Sequence, residues 1–97
     1  MIPRKPKTAQ EGWKMKADNA LLRRLRAAPE SEFLLIVQVS QDVDGAASRL
    51  QSSGLEVRRR LRLISALAVR ASGEQTLRLL EEPWVLRVEE DRPVQAL

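Results

Sequence analysis

The chain has no cysteine, no histidine and no tyrosine. Without cysteine there is neither a disulfide framework nor a thiol nucleophile. Without histidine the commonest general base and the commonest metal ligand are both missing. Serines occur, but a serine nucleophile with no histidine needs a lysine base, and no motif sets a lysine beside one. The inventory argues against an enzyme, and no metal or cofactor is expected. No run approaches the roughly 18 apolar residues of a membrane span, so no membrane partner is expected. The basic start Met1-Ile2-Pro3-Arg4-Lys5-Pro6-Lys7 leads into Thr8-Ala9-Gln10-Glu11-Gly12-Trp13-Lys14 and not into an apolar stretch. No secretion signal is read there, and the cytoplasm is the expected compartment.

What is present fits one globular domain: 97 residues, 43% hydrophobic and 31% charged. The net charge is +4, with arginines clustered at Arg23, Arg24, Arg26 and at Arg58, Arg59, Arg60, Arg62. Such clusters attract phosphates in a salt-dependent way but read no sequence without stacking or base-reading groups. Trp13, Phe33 and Trp84 are the only aromatics.

Residues 1–32 read as a basic extension. Within it, Asp18 or Asn19 caps a short helix over residues 20–28 that ends at Pro29. Leu21, Leu22, Leu25 and Ala28 form its apolar face, and a helix that short needs a docking surface. Residues 33–97 read as the main domain. Phe33-Leu34-Leu35-Ile36-Val37-Gln38-Val39 is a central strand by its β-branched, apolar content. Asp42-Val43-Asp44 opens a helix through Ala46, Ala47, Leu50 and Gln51, and Gly54 ends it. Residues 55–61 form a half-buried strand, Leu63-Ile64-Ser65 turns the chain, and residues 66–71 return as the hairpin partner. Ser72 caps a second helix with Gln75 placed for a capping box, and Leu77, Leu79 and Leu80 line its buried face. Pro83 closes that helix and residues 84–89 form the last strand.

The order β-α-β-β-α-β predicts an α+β, ferredoxin-like fold with both helices on one face of a four-stranded antiparallel sheet. Strict alternation turns Trp84, Leu86 and Val88 toward the helices, with Val85, Arg87, Glu89 and Asp91 on the open side. The open side also receives Leu34, Ile36 and Gln38 from the first strand and Ala66, Ala68 and Arg70 from the third. An apolar face rimmed by charge, with Leu34, Ile36, Ala66, Ala68 and Val85 at its centre, is a candidate protein interface unless the N-terminal helix folds beneath it.

Three segments, Leu34-Leu35-Ile36-Val37, Leu63-Ile64-Ser65-Ala66-Leu67-Ala68-Val69 and Val88-Glu89-Glu90-Asp91, occur in this element order. Together they resemble the propeptides of subtilisin-type proteases over residues 33–97. The family's hairpin commonly reads as an apolar residue followed by Asn-Gly-Phe-Ala, where this chain has Ser65-Ala66-Leu67-Ala68 after Ile64. The resemblance implies an inhibitor and folding chaperone of a subtilisin-like serine protease. Glu89 and Asp91 would cap two helix N-termini on the protease, while Glu90 would point away into solvent. Val94, Gln95, Ala96 and Leu97 would lie in the substrate cleft, with Leu97 in the primary specificity pocket and Val94 in the pocket three residues upstream. Such a chain is either cut from its protease or encoded separately, and an initiating methionine without a signal peptide favours the second.

The alternative is a nucleic-acid-binding ferredoxin-like domain that uses the arginine clusters. An RNA-recognition version needs aromatics on the open side of the two central strands, and the sequence places none there. A small-molecule regulatory domain of similar topology would want a glycine-rich ligand loop, and none is recognisable.

Overall fold

The computed structural model describes residues 16–40 and 42–91. Their elements run α1 (Asn19–Ala27), β1 (Glu32–Val39), α2 (Val43–Ser52), β2 (Glu56–Leu61), a 3-10 turn (Arg62–Ile64), β3 (Ala66–Ser72), α3 (Gly73–Leu79) and β4 (Val85–Glu90). The strands form one antiparallel sheet in the order β2-β3-β1-β4, with β1 and β3 central. This is the ferredoxin-like α+β arrangement that the element order predicts.

Local chemistry sets the helix ends. The Leu21 N–H donates to the Asp18 carboxylate at 2.7 Å, so Asp18 and not Asn19 caps α1. Asp42 accepts from the backbone N–H groups of Asp44 and Gly45 at the start of α2. At the other end of α2, Gly54 takes φ +88° and its N–H donates to the Gln51 carbonyl, while the Leu55 N–H donates back to Leu50. That pair of bonds is a Schellman closure, and it buries Leu55 beside Leu50. The expected capping box is present at α3: the Gln75 N–H donates to the Ser72 hydroxyl at 3.0 Å, and the Ser72 N–H to the Gln75 side chain at 2.9 Å.

One core lies between the sheet and the helices. Leu35, Val37 and Val39 of β1, Leu67, Val69 and Ala71 of β3, and Val85 and Val88 of β4 meet Ala46, Ala47 and Leu50 of α2 and Leu79 and Leu80 at the end of α3. Leu21, Leu22 and Leu25 of α1 are buried in that same core. The N-terminal helix therefore packs on the helical side of the sheet against α3 and does not fold beneath the open face. Its C-terminal turn sits so close to α3 that a side chain on Gly73 would meet the carbonyl oxygens of Leu25 and Ala28 at 2.6 and 2.7 Å. Lys16 reaches across to donate to the carbonyls of Leu80 and Glu82 at 3.0 and 2.9 Å, at the end of α3.

Strict alternation fails on the last strand, and the expectations drawn from it are corrected. Gln38 pairs with Arg87 but Val39 pairs with Val85, so Leu86 is an extra residue opposite this step. The bulge turns Val85 into the helix-side core, where it is fully buried, and leaves Leu86 49% exposed. Val85 is thus not part of the open face. Among the described residues no helix is long and apolar enough to cross a membrane.

Because Leu25 has no exposed surface, Leu25→Ala is expected to cost about 2–5 kcal/mol of stability. A chain beginning at Ser31 is expected to lose cooperative thermal melting altogether, and circular dichroism of both proteins checks this. Equal melting of the truncated and full chains would show that α1 contributes nothing to the fold. A second prediction concerns Ser65, which sits at φ 50°, ψ 53°, in the left-handed region that disfavours a side chain. Ser65→Gly is expected to raise stability by about 0.4–1 kcal/mol, read as a higher melting temperature.

Candidate functional site

The side of the sheet away from the helices carries the candidate site. Pairing across β1 and β3 sets Gln38 opposite Ala66, Ile36 opposite Ala68 and Leu34 opposite Arg70, all on this side. Ala66 and Ala68 have no exposed surface, yet they lie outside the helix-side core cluster. Their small side chains sit between longer neighbours: Ala68 is flanked by Ile36 and Arg59, and Ala66 by Gln38 and Leu61. Leu34 is 36% exposed and Ile36 half-buried. The apolar tract continues to the turn after β2. There Ile64, more than half exposed, borders a depression of about 240 Å³ with Ile36, Gln38, Ala66, Arg87 and Glu89. Four of the five residues expected at the centre of this face, Leu34, Ile36, Ala66 and Ala68, are brought together there, and Val85 is not.

A second bulge decides which arginines reach this face. Val57 pairs with Val69, but Arg59 pairs with Ala68, so Arg58 is the extra residue on β2. Arg59 consequently projects on the open side and Arg60 on the helix side. Arg59 reaches over β3 and β1 to within 3.8 Å of the Asp91 carboxylate beyond the end of β4. From Val57 onward, unbroken alternation would have turned Arg59 inward, and no local sequence signal marks the bulge. Arg59 is the member of the site that sequence reasoning misses.

The three acids after Val88 divide between the two faces. Glu89 lies opposite Ile36 on the open side and accepts from the Arg87 guanidinium at 2.5 Å. Asp91 follows on the same side, its backbone N–H donating to the Leu34 carbonyl at 2.8 Å. Glu90 lies opposite Leu35 on the helix side, where it is ion-paired with Arg24 of α1. It points away from the open face as expected, but into an ion pair and not simply into solvent. Val94, Gln95, Ala96 and Leu97 lie outside the described residues.

Most of the clustered basic charge is engaged within the protein. Arg60 and Arg62 converge on Asp44 in the first turn of α2, at 2.6 Å and at 2.9 and 3.0 Å. Arg24 also lies over the Phe33 ring, 5.6 Å from its centroid. Arg70 sits 3.7 Å from Glu32, and Arg78 pairs with Glu74 at 2.6 Å. Phe33 is buried on the helix side and Trp84 packs at the edge of that same core, so neither offers a stacking platform on the open face. Among the described residues no group of three or more acidic side chains is arranged to hold a metal ion. What the face offers is the partly exposed aliphatic pair Leu34 and Ile36 beside buried alanines, bordered by Glu89 and Asp91 with their arginine partners Arg87 and Arg59.

The Asp44 carboxyl is held below its ordinary value first by the Arg62 hydrogen bond; desolvation opposes this, and the Arg62 charge and the Arg60 hydrogen bond and charge add to the lowering. Its folded pKa lies below its unfolded one. The stabilisation it gives is therefore present above the unfolded value and lost as pH falls through the folded value. A carbon-detected NMR titration of Asp44 is expected to show the depressed midpoint, and Arg62→Ala is expected to raise it toward the ordinary carboxylate value. An unchanged midpoint in that variant would mean that the guanidinium does not engage Asp44 in solution.

No protein-family model matches the chain, and no curated protein matches it.

Proposed function

We propose that this protein binds a subtilisin-like serine protease, helps it to fold and blocks its substrate cleft. On this reading it is an inhibitor and chaperone and not an enzyme, with the cytoplasm as its proposed compartment. The observation that carries the reading is the placement of Glu89 and Asp91 on the same side of the sheet as the partly exposed Leu34 and Ile36, which flank the buried Ala66 and Ala68. Residues 92–97 follow Asp91 directly in the sequence. An apolar sheet face can lie across a pair of helices, and carboxylates at its margin can take up the unpaired N–H groups and about half a positive charge at each helix N-terminus. Each such cap is worth about 0.5–2 kcal/mol, which orients the domain and leaves most of the affinity to other contacts.

Those contacts are assigned to the C-terminal segment. Leu97 in an apolar specificity pocket would contribute about 1.5–3 kcal/mol. Val94 would fill the pocket three residues upstream, while Gln95 and the small Ala96 pass the catalytic groups. The segment would occupy the cleft in the manner of a bound product that leaves slowly. Folding assistance follows by mass action, because a domain that binds only the folded protease favours that state. The resemblance to subtilisin-type propeptides supports this reading. The internal pairing of Arg24, Arg60 and Arg62 weakens the nucleic-acid alternative.

The test is inhibition measured against a panel of subtilisin-like proteases, with trypsin-like enzymes as controls. Deletion of residues 94–97, or Leu97→Asp, is expected to abolish inhibition by removing the anchor or burying a charge in an apolar pocket. Full inhibition by the shortened protein would refute cleft binding. Glu89→Ala combined with Asp91→Ala is expected to weaken binding by about tenfold or more, and to slow assisted refolding of the protease. Glu90→Ala is expected to have a much smaller effect. Should Glu90 prove the most sensitive of the three, the docking face is the wrong one.

A further inference from the structure

The N-terminal helix is placed more firmly than a short amphipathic segment needs to be. Besides its three buried leucines, the chain just after it is tied to α3 through the backbone. The Gly73 N–H donates to the Ser31 carbonyl at 3.1 Å and the Glu74 N–H to the Pro29 carbonyl at 3.0 Å. No side chain would fit at Gly73 without displacing the end of the helix. This fixed helix presents Arg24 beside Phe33 and against the Glu90 carboxylate. Glu90 is the last residue of β4. Among the described residues β4 is an edge strand paired only with β1, and the backbone bond nearest its end runs from the Asp91 N–H to the Leu34 carbonyl.

A strand end held on one side frays. A guanidinium braced over an aromatic ring and bonded to Glu90 gives this end a second tie, from the helical side of the sheet. We propose that α1 is a positioning element for the C-terminal segment, and that Arg24, through Glu90, fixes the direction in which the chain leaves the sheet. The consequence for inhibition rests on the function proposed above: a segment launched in one direction has less freedom to lose on entering a cleft, and so binds more tightly without any new contact. Arg24 acts through Glu90 and is not itself assigned a contact with the protease.

The experiment uses the full chain with Arg24→Ala, Arg24→Lys, and the charge exchange Arg24→Glu with Glu90→Arg. Three quantities are read: amide hydrogen exchange at Asp91 in the free protein, exchange of the core amides of β1, and inhibition of a subtilisin-like protease that the unaltered chain inhibits. Arg24→Ala is expected to speed exchange at Asp91 by about two- to fivefold, the span open to a partly exposed ion pair. The core amides of β1 should be unchanged. Inhibition should weaken by a similar factor, with an intermediate effect for Arg24→Lys and recovery in the charge exchange. Unchanged exchange at Asp91, or no recovery in the exchanged pair, would overturn the positioning role. Faster exchange with undiminished inhibition would overturn its link to function. If the unaltered chain inhibits no protease, the functional reading fails, while the exchange data still decide whether Arg24 positions the strand end.

Discussion

The inward stripe of β1, Leu35, Val37 and Val39, is the contact on which the other elements depend. It lies in a central strand, it is buried, and α1, α2 and α3 contribute to the single core that it shares. A chain of this length can build one apolar layer between helices and sheet, and here that layer takes up the leucines of α1 as well as those of the other two helices. Its conformational entropy cost is large against so small a core, which is why each close approach matters, including the contact at Gly73. With the helices all on one side, the open side of the described sheet keeps small and aliphatic residues and no helical cover.

The two bulges lie on the two edge strands, and they redistribute charge as well as bend the chain. On β2 the extra Arg58 puts Arg59 over the open face and Arg60 beside Asp44. On β4 the extra Leu86 puts Val85 in the core while keeping Arg87 and Glu89 outside. Bulged edges decorated with arginine are also poor templates for pairing with another strand, which protects a sheet whose edges are otherwise open. The same residues thus limit non-specific association by the edges.

Much of this was legible in the residues themselves. The element order, the Gly54 closure and the Ser72–Gln75 capping box depend on a few neighbouring side chains, and local chemistry is what a sequence displays directly. The destination of α1 was not legible, because amphipathicity says that Leu21, Leu22 and Leu25 need cover without saying which surface provides it. The position of Val85 is hidden from the sequence for a related reason. A bulge arises from the pairing of β4 with β1, so counting in twos along one strand cannot reveal it. Glu89 and Asp91 were nevertheless placed on the correct side, since both follow the bulge and alternate normally from Val88. The partnership of Arg24 with Glu90 depends on where α1 docks, and it became visible only in three dimensions.

The proposed role makes the open face and not the arginine-rich edge the surface that meets the partner. On that proposal the carboxylates along the margin would orient the contact, and the C-terminal segment would supply specificity. The most direct measurement is an amide and methyl NMR footprint of the full chain bound to a catalytically inactivated subtilisin-like protease. The account predicts perturbations centred on Leu34, Ile36, Ala66, Ala68, Glu89 and Asp91, with Ala46, Ala47 and Leu79 on the helical side unaffected. A footprint centred on α2 and α3 or on Arg58, Arg60 and Arg62, or no binding to any such protease, would contradict it.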